Sequence, residues 1–71
     1  MSENIVEALS HQIERVTELK ADYESLKGTP GVNVDFALAH ISTSLNEAHK
    51  ALGSGDPIAI MTALEDLRTK A

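Results

Sequence analysis

Apolar residues recur along this chain at steps of three and four, the period of an amphipathic α-helix. In the first stretch they fall at Ile5, Leu9, Val16, Leu19, Tyr23 and Leu26, with the polar Gln12 filling one step. Val6 and Ile13 widen that stripe on one side. In the second, Val34, Leu38, Ile41, Leu45, Ala48 and Leu52 step 4-3-4-3-4, so both seams are close to the a/d heptad pattern. Beside the second seam, Ala37, Ser44 and Ala51 form a column of small residues, which predicts tight packing against another helix. A third stretch puts Ile60, Met61, Leu64 and Leu67 on one face.

Two glycine/proline clusters, Gly28-Thr29-Pro30-Gly31 and Gly53-Ser54-Gly55-Asp56-Pro57, break the pattern. The predicted helices therefore run over about 3–27, 34–52 and 57–69. Ser2 or Asn4 caps the first, and Glu7 stands three after Asn4 in a capping-box-like spacing. Asn33 is the expected N-cap of the second, with Asp35 in its first turn and Gly53 at its end. Asp56-Pro57 starts the third as a cap with proline at the first helical position. Arg68 and Lys70 at its far end suit the helix dipole. Rises of 1.5 Å per residue give the first two helices lengths of about 37 and 28 Å.

A short connection between two such helices predicts an antiparallel hairpin. The expected fold is all-α: an antiparallel helical hairpin plus a short third helix, in one helical domain over residues 1–71. The third helix is too short to stand alone. A hairpin leaves its apolar stripes half covered, so a homo-oligomeric helical bundle, dimeric or larger, is expected.

Size sharpens that expectation. A chain of 71 residues buries only about 60% of its unfolded surface, and without cysteine it has no disulfide to compensate. Six basic against 11 acidic residues leave a net charge of −5, which argues against DNA, RNA or an anionic membrane as partner. The longest apolar runs, Phe36-Ala37-Leu38-Ala39 and Ile58-Ala59-Ile60-Met61, fall far short of the about 20 residues of a membrane span. The opening Met1-Ser2-Glu3-Asn4 is polar and acidic, unlike a signal peptide. The expected setting is the cytoplasm.

Catalysis and metal chemistry find little support. His40 and His49 are nine apart, on roughly opposite faces of one helix, and His11 has no ligand set beside it. No metal or other cofactor is expected. Ser42, Thr43 and Ser44 lie within a helix; Ser44 stands four after His40, but a mid-helix serine lacks an exposed turn and an oxyanion hole. The glycine clusters lack a phosphate-loop spacing, and Asp35 and Asp56 would repel an anion there. The chain is expected not to be an enzyme.

One cluster invites a binding reading. Lys20, Tyr23 and Lys27, at i, i+3 and i+7, lie along one side of the first helix. An aromatic between two ammonium groups can stack a base and meet phosphate. The competing reading makes Tyr23 a seam residue with its hydroxyl at the edge and the lysines flanking charges. Tyr23 and Phe36 are the only aromatics.

The segment Leu38-Ala39-His40-Ile41-Ser42-Thr43-Ser44-Leu45-Asn46-Glu47-Ala48-His49-Lys50-Ala51-Leu52 resembles the second helix of the phage helical-hairpin anti-defence proteins, which include cyclic-nucleotide sponges of the anti-CBASS and anti-Thoeris type. Leu38-Ala39, Thr43, Leu45, Asn46-Glu47, Ala48 and Ala51-Leu52 match by residue type. Leu26-Lys27-Gly28-Thr29-Pro30 is similar to the end of that family's first helix. The family's tryptophan and arginine early in helix two are missing; Phe36 and Ala37 stand nearby. The resemblance implies a viral homo-oligomer that sequesters a cyclic di- or trinucleotide immune signal in the host cytoplasm without cleaving it. It also implies a base-stacking aromatic with a phosphate-binding lysine, types that Tyr23 with Lys20 or Lys27 supply, while Thr29 adds a hydroxyl. A small anion is compatible with the net charge, because distant charges are screened beyond about 8 Å.

A second expectation belongs to another class. The carboxylates Glu14, Glu18, Asp22 and Glu24 give the first helix an acidic surface, suited to an adaptor or inhibitor that contacts a basic host protein. A scaffold hairpin with no ligand is the third.

Overall fold

A computed structural model describes residues 4–31 and 33–70. Among them are three helices: α1 (Ile5–Leu26), α2 (Asp35–Ser54) and α3 (Pro57–Arg68). No strand occurs among the described residues. Each helix packs on both others, so the all-α expectation holds.

The helix starts follow local chemistry. Asn4 caps α1, its Oδ1 accepting from the Glu7 backbone N–H at 2.8 Å. Its amide also reaches the Glu7 carboxylate at 3.4 Å. Ser2, the other expected cap, lies outside the described residues. Asp56 caps α3 by accepting from the Ile58 N–H at 3.0 Å, with Pro57 following it. An N-cap of this kind contributes about 0.5–2 kcal/mol. Asp56→Ala should therefore lower the unfolding free energy by about 1 kcal/mol in urea titration, and Asp56→Asn should restore most of it.

The second helix departs from expectation at both ends. Val34 takes the cap position without a side-chain bond, and Asn33 instead accepts from the Asp35 N–H at 3.1 Å. At the other end α2 runs through Gly53 to Ser54. The stop is Gly55, left-handed at φ 68°, a conformation that glycine adopts at no steric cost. Two glycines in one loop offered two stops, and only the second has the left-handed backbone.

The core forms where the three helices meet: Leu9, Ile13 and Val16 from α1, Ile41, Leu45, Ala48 and Ala51 from α2, and Ile60, Ala63, Leu64 and Leu67 from α3. Ile13, expected only to broaden the stripe, belongs to the buried core, whereas Val6 on the same flank is half exposed. Ala63 takes the place expected of Met61, which is half exposed. The small column behaves as read: Ser44 and Ala51 are buried, and Ala37 is partly so.

Twelve-residue α3 spans about 18 Å against about 33 Å for α1, so it covers only part of the α1–α2 surface. The radius of gyration is 13.4 Å, against about 11 Å for a compact chain of this length. The exposed area is 4871 Å², above the about 4,300 Å² of a compact monomer of this mass. Among the large apolar side chains left outside are Phe36, 85% exposed, and Ile58, 75% exposed. No helix among the described residues is long and apolar enough to cross a membrane.

Candidate functional site

Tyr23, the aromatic of the expected cluster, does line a cavity. It has a volume of about 280 Å³ and is walled by Leu19 and Tyr23 of α1, Ala37, His40 and Ile41 of α2, and Thr69 and Lys70 just beyond α3. The cavity exists because α3 stops short: its final residues make one wall, and the longer helices continue past it. Tyr23 packs on the edge of the core, as its seam position predicts.

The cation at this cavity is Lys70. Lys20, partly buried on α1, does not line it, nor does the exposed Lys27 at the C-cap of that helix. Thr29, exposed in the first loop, is also not among its walls. Sequence spacing places residues along one helix; it does not show that the end of another helix delivers a lysine to the same point.

Lys70 is held from two sides. Its Nζ donates to the Asp66 carboxylate at 3.4 Å and lies 2.8 Å from His40 Nε2. Its side chain is only 10% exposed, so these two contacts decide where the charge sits. An ammonium has donors only, so the 2.8 Å contact is a hydrogen bond where His40 Nε2 carries a lone pair. Phe36 lies nearly parallel to that ring, 10° between planes and 6.4 Å between centroids.

Asp66 anchors the group. The Ser44 hydroxyl, the nearby Lys70 ammonium and, more weakly, His40 hold its carboxyl below the ordinary value of 3.8, partly opposed by burial. Ser44 is thus a small residue that admits α3 and a donor to it. A carboxyl whose folded pKa is depressed contributes stability that is present above the unfolded value and lost as pH falls through the folded one. The melting temperature should therefore drop as pH falls below about 4. Asp66→Asn should show a shallower drop than the parent; equal acid sensitivity would refute this assignment.

Arg15 fixes the same end of α3 from α1. Its Nη2 donates to the Leu67 carbonyl at 2.7 Å, while its Nε donates to Gln12 Oε1 at 2.9 Å. The last carbonyls of a helix lack full intrahelical partners; that of Leu67 accepts from this guanidinium as well as from the Lys70 backbone N–H at 3.1 Å. The Asp66–Lys70 spacing of i, i+4 was readable in the sequence; the partners Ser44, His40 and Arg15 required the fold.

A larger groove of about 550 Å³ runs between α2 and α3, floored by Ala51, Ala59 and Ala63 and edged by Glu47, Lys50, Ser54, Thr62 and Asp66. On its edge Lys50 pairs with Glu47 at 3.8 Å. No cluster of three metal-ligating side chains occurs among the described residues.

No protein-family model matches the chain, and no curated protein or solved structure matches it significantly.

Proposed function

We propose that this chain is a non-enzymatic binding protein that holds a small phosphate-bearing nucleotide, of the cyclic immune-signal kind, between subunits of a homo-oligomer. The observation that carries this reading is Tyr23 facing the same cavity as Lys70. A phenol ring offers a stacking surface, worth about 1–3 kcal/mol per base, and an ammonium offers a partner for phosphate. The His40 ring and the Thr69 hydroxyl add polar groups on the other walls.

The resemblance to phage helical-hairpin anti-defence proteins supports the same reading and supplies the biological setting: sequestration of a signal in a host cytoplasm. The α1–α2 unit would be the antiparallel hairpin of that family. The sharing of one cavity by the second half of α1 and the first half of α2 favours this arrangement. Two features favour an oligomer. The chain exposes more surface than a compact monomer, and a cavity of about 280 Å³ falls just below the usual range for ligand sites, as half of a shared site would. Lys20 and Lys27 flank Tyr23 along α1 and would meet phosphate if the ligand lay along that helix, with Thr29 beyond.

Calorimetry against cyclic di- and trinucleotides and cyclic ADP-ribose isomers tests the proposal, alongside the mass of the protein in solution. Binding by at least one, weakened by Lys70→Met, is the expected result. Weakening by Lys20→Met and Lys27→Met instead would move the phosphate to α1. No binding at tens of micromolar to any member would overturn it.

A second reading, an acidic adaptor that docks on a basic protein, draws on one observation. Glu14, Glu18 and Asp22 step by four along an exposed face of α1, while Glu24 lies about 120° around the helix from Glu18. Salt-sensitive binding of a basic protein, without any nucleotide binding, would favour it.

A further inference from the structure

We propose that the Lys70–His40 contact is a proton-operated latch that holds the end of α3 against α2 and closes one side of the Tyr23 cavity. The inference concerns the free chain and does not depend on which ligand, if any, the cavity takes.

The latch follows from donor and acceptor arithmetic. Lys70 Nζ and His40 Nε2 stand 2.8 Å apart. An ammonium has only protons to give, so the bond exists only while Nε2 keeps its lone pair. Protonating the ring replaces that lone pair with an N–H and sets two positive groups against each other at hydrogen-bond distance. One of them must then leave. His40 sits on an exposed part of α2, so its ring is free to turn toward water, carrying its stack on Phe36 with it. Lys70 then has Asp66 as its remaining side-chain partner.

The groups around the ring decide which charge changes between pH 8 and pH 5. Among the described residues, the titratable groups facing His40 are Lys70 and Asp66 on the α3 side and Tyr23 across the cavity on α1. Asp66 stays ionised there, because Ser44 and Lys70 hold its carboxyl below the ordinary range. Histidine is the side chain whose charge ordinarily changes between pH 5 and 8. A proton on the ring is therefore the variable in this group, and the bond it breaks ties the residues after α3 to the first half of α2. The helix end keeps its other fixture, the Arg15 bond to the Leu67 carbonyl, so the body of α3 stays docked.

Amide hydrogen exchange and imidazole NMR on the full chain, from pH 8 to pH 5, test this. Exchange is first corrected for its intrinsic pH dependence. As the His40 ring takes up its proton, amides at Thr69 and Lys70 should lose several-fold in protection, with the same midpoint as the ring signals. Amides of the core turn at Ala63 and Leu64 should not change. His40→Gln keeps an acceptor that does not titrate and should abolish the transition; Lys70→Met should leave these amides at the low-pH level throughout. Unchanged protection through the His40 titration, or the same transition in His40→Gln, would overturn the latch. Both readouts are made without ligand, so a failure of the nucleotide proposal leaves them intact.

Discussion

Leu67→Ala should cost about 2–5 kcal/mol, the range for removing a buried leucine side chain. Leu67 has no exposed surface and belongs to the cluster that joins all three helices. A domain of this length is stable by roughly 4–11 kcal/mol in total, so this one change would remove a large part of it. The melting temperature should fall by at least about 10 °C, and urea should unfold the variant at a much lower midpoint. Met61→Ala is the matched control: its side chain is 52% exposed, and its cost should stay within about 0.5 kcal/mol. Equal losses at the two positions would mean that α3 presents a different face to α1 and α2.

That pair of residues also shows where the sequence was legible. Apolar spacing along the third stretch admits Ile60, Met61, Leu64 and Leu67 together, since adjacent positions 60 and 61 differ by only about 100° around the helix. Which flank turns inward depends on where α1 and α2 stand. Both lie on the Ala63 side, so a small residue becomes core and methionine is left out. Ile13 shows the same effect from the other partner. A heptad seam describes two helices in contact; in the three-helix core Ile13 of the neighbouring column is buried, while Val6, one heptad earlier, stays 47% exposed.

Local signals carried further. Asn4, Asp56 and Pro57 act within three residues of themselves, and the structure shows each in its expected role. The stop of α2 was ambiguous for a definite reason. A glycine inside a helix costs about 1 kcal/mol against alanine but is tolerated, so Gly53 alone does not end it.

The candidate site was half legible. Tyr23 stands out because aromatics are so scarce in this chain. The lysine it meets comes from 47 positions further along the sequence, delivered by a helix too short to reach farther. Nothing in the spacing of Lys20, Tyr23 and Lys27 encodes that meeting. Ser44 is similar: its place in a column of small residues announces close packing, but its effect on the Asp66 carboxyl depends on the register between α2 and α3.

Tyr23→Ala should weaken nucleotide binding by about 1–3 kcal/mol, the range for loss of one base–aromatic stack, or about 5- to 150-fold in Kd. Tyr23→Phe keeps the ring and should retain most of the affinity, which separates stacking from a hydrogen bond by the phenol. Because Tyr23 also packs on the core edge, the alanine variant needs its own melting curve. A protein that remains folded at the assay temperature and loses binding assigns the effect to the cavity. Lys70→Met, at the same cavity, should lose affinity in a way that fades as salt is raised, since its contribution to a phosphate is electrostatic, whereas the Tyr23→Ala loss should persist at high salt. Full affinity in a folded Tyr23→Ala protein would remove the cavity from the proposal.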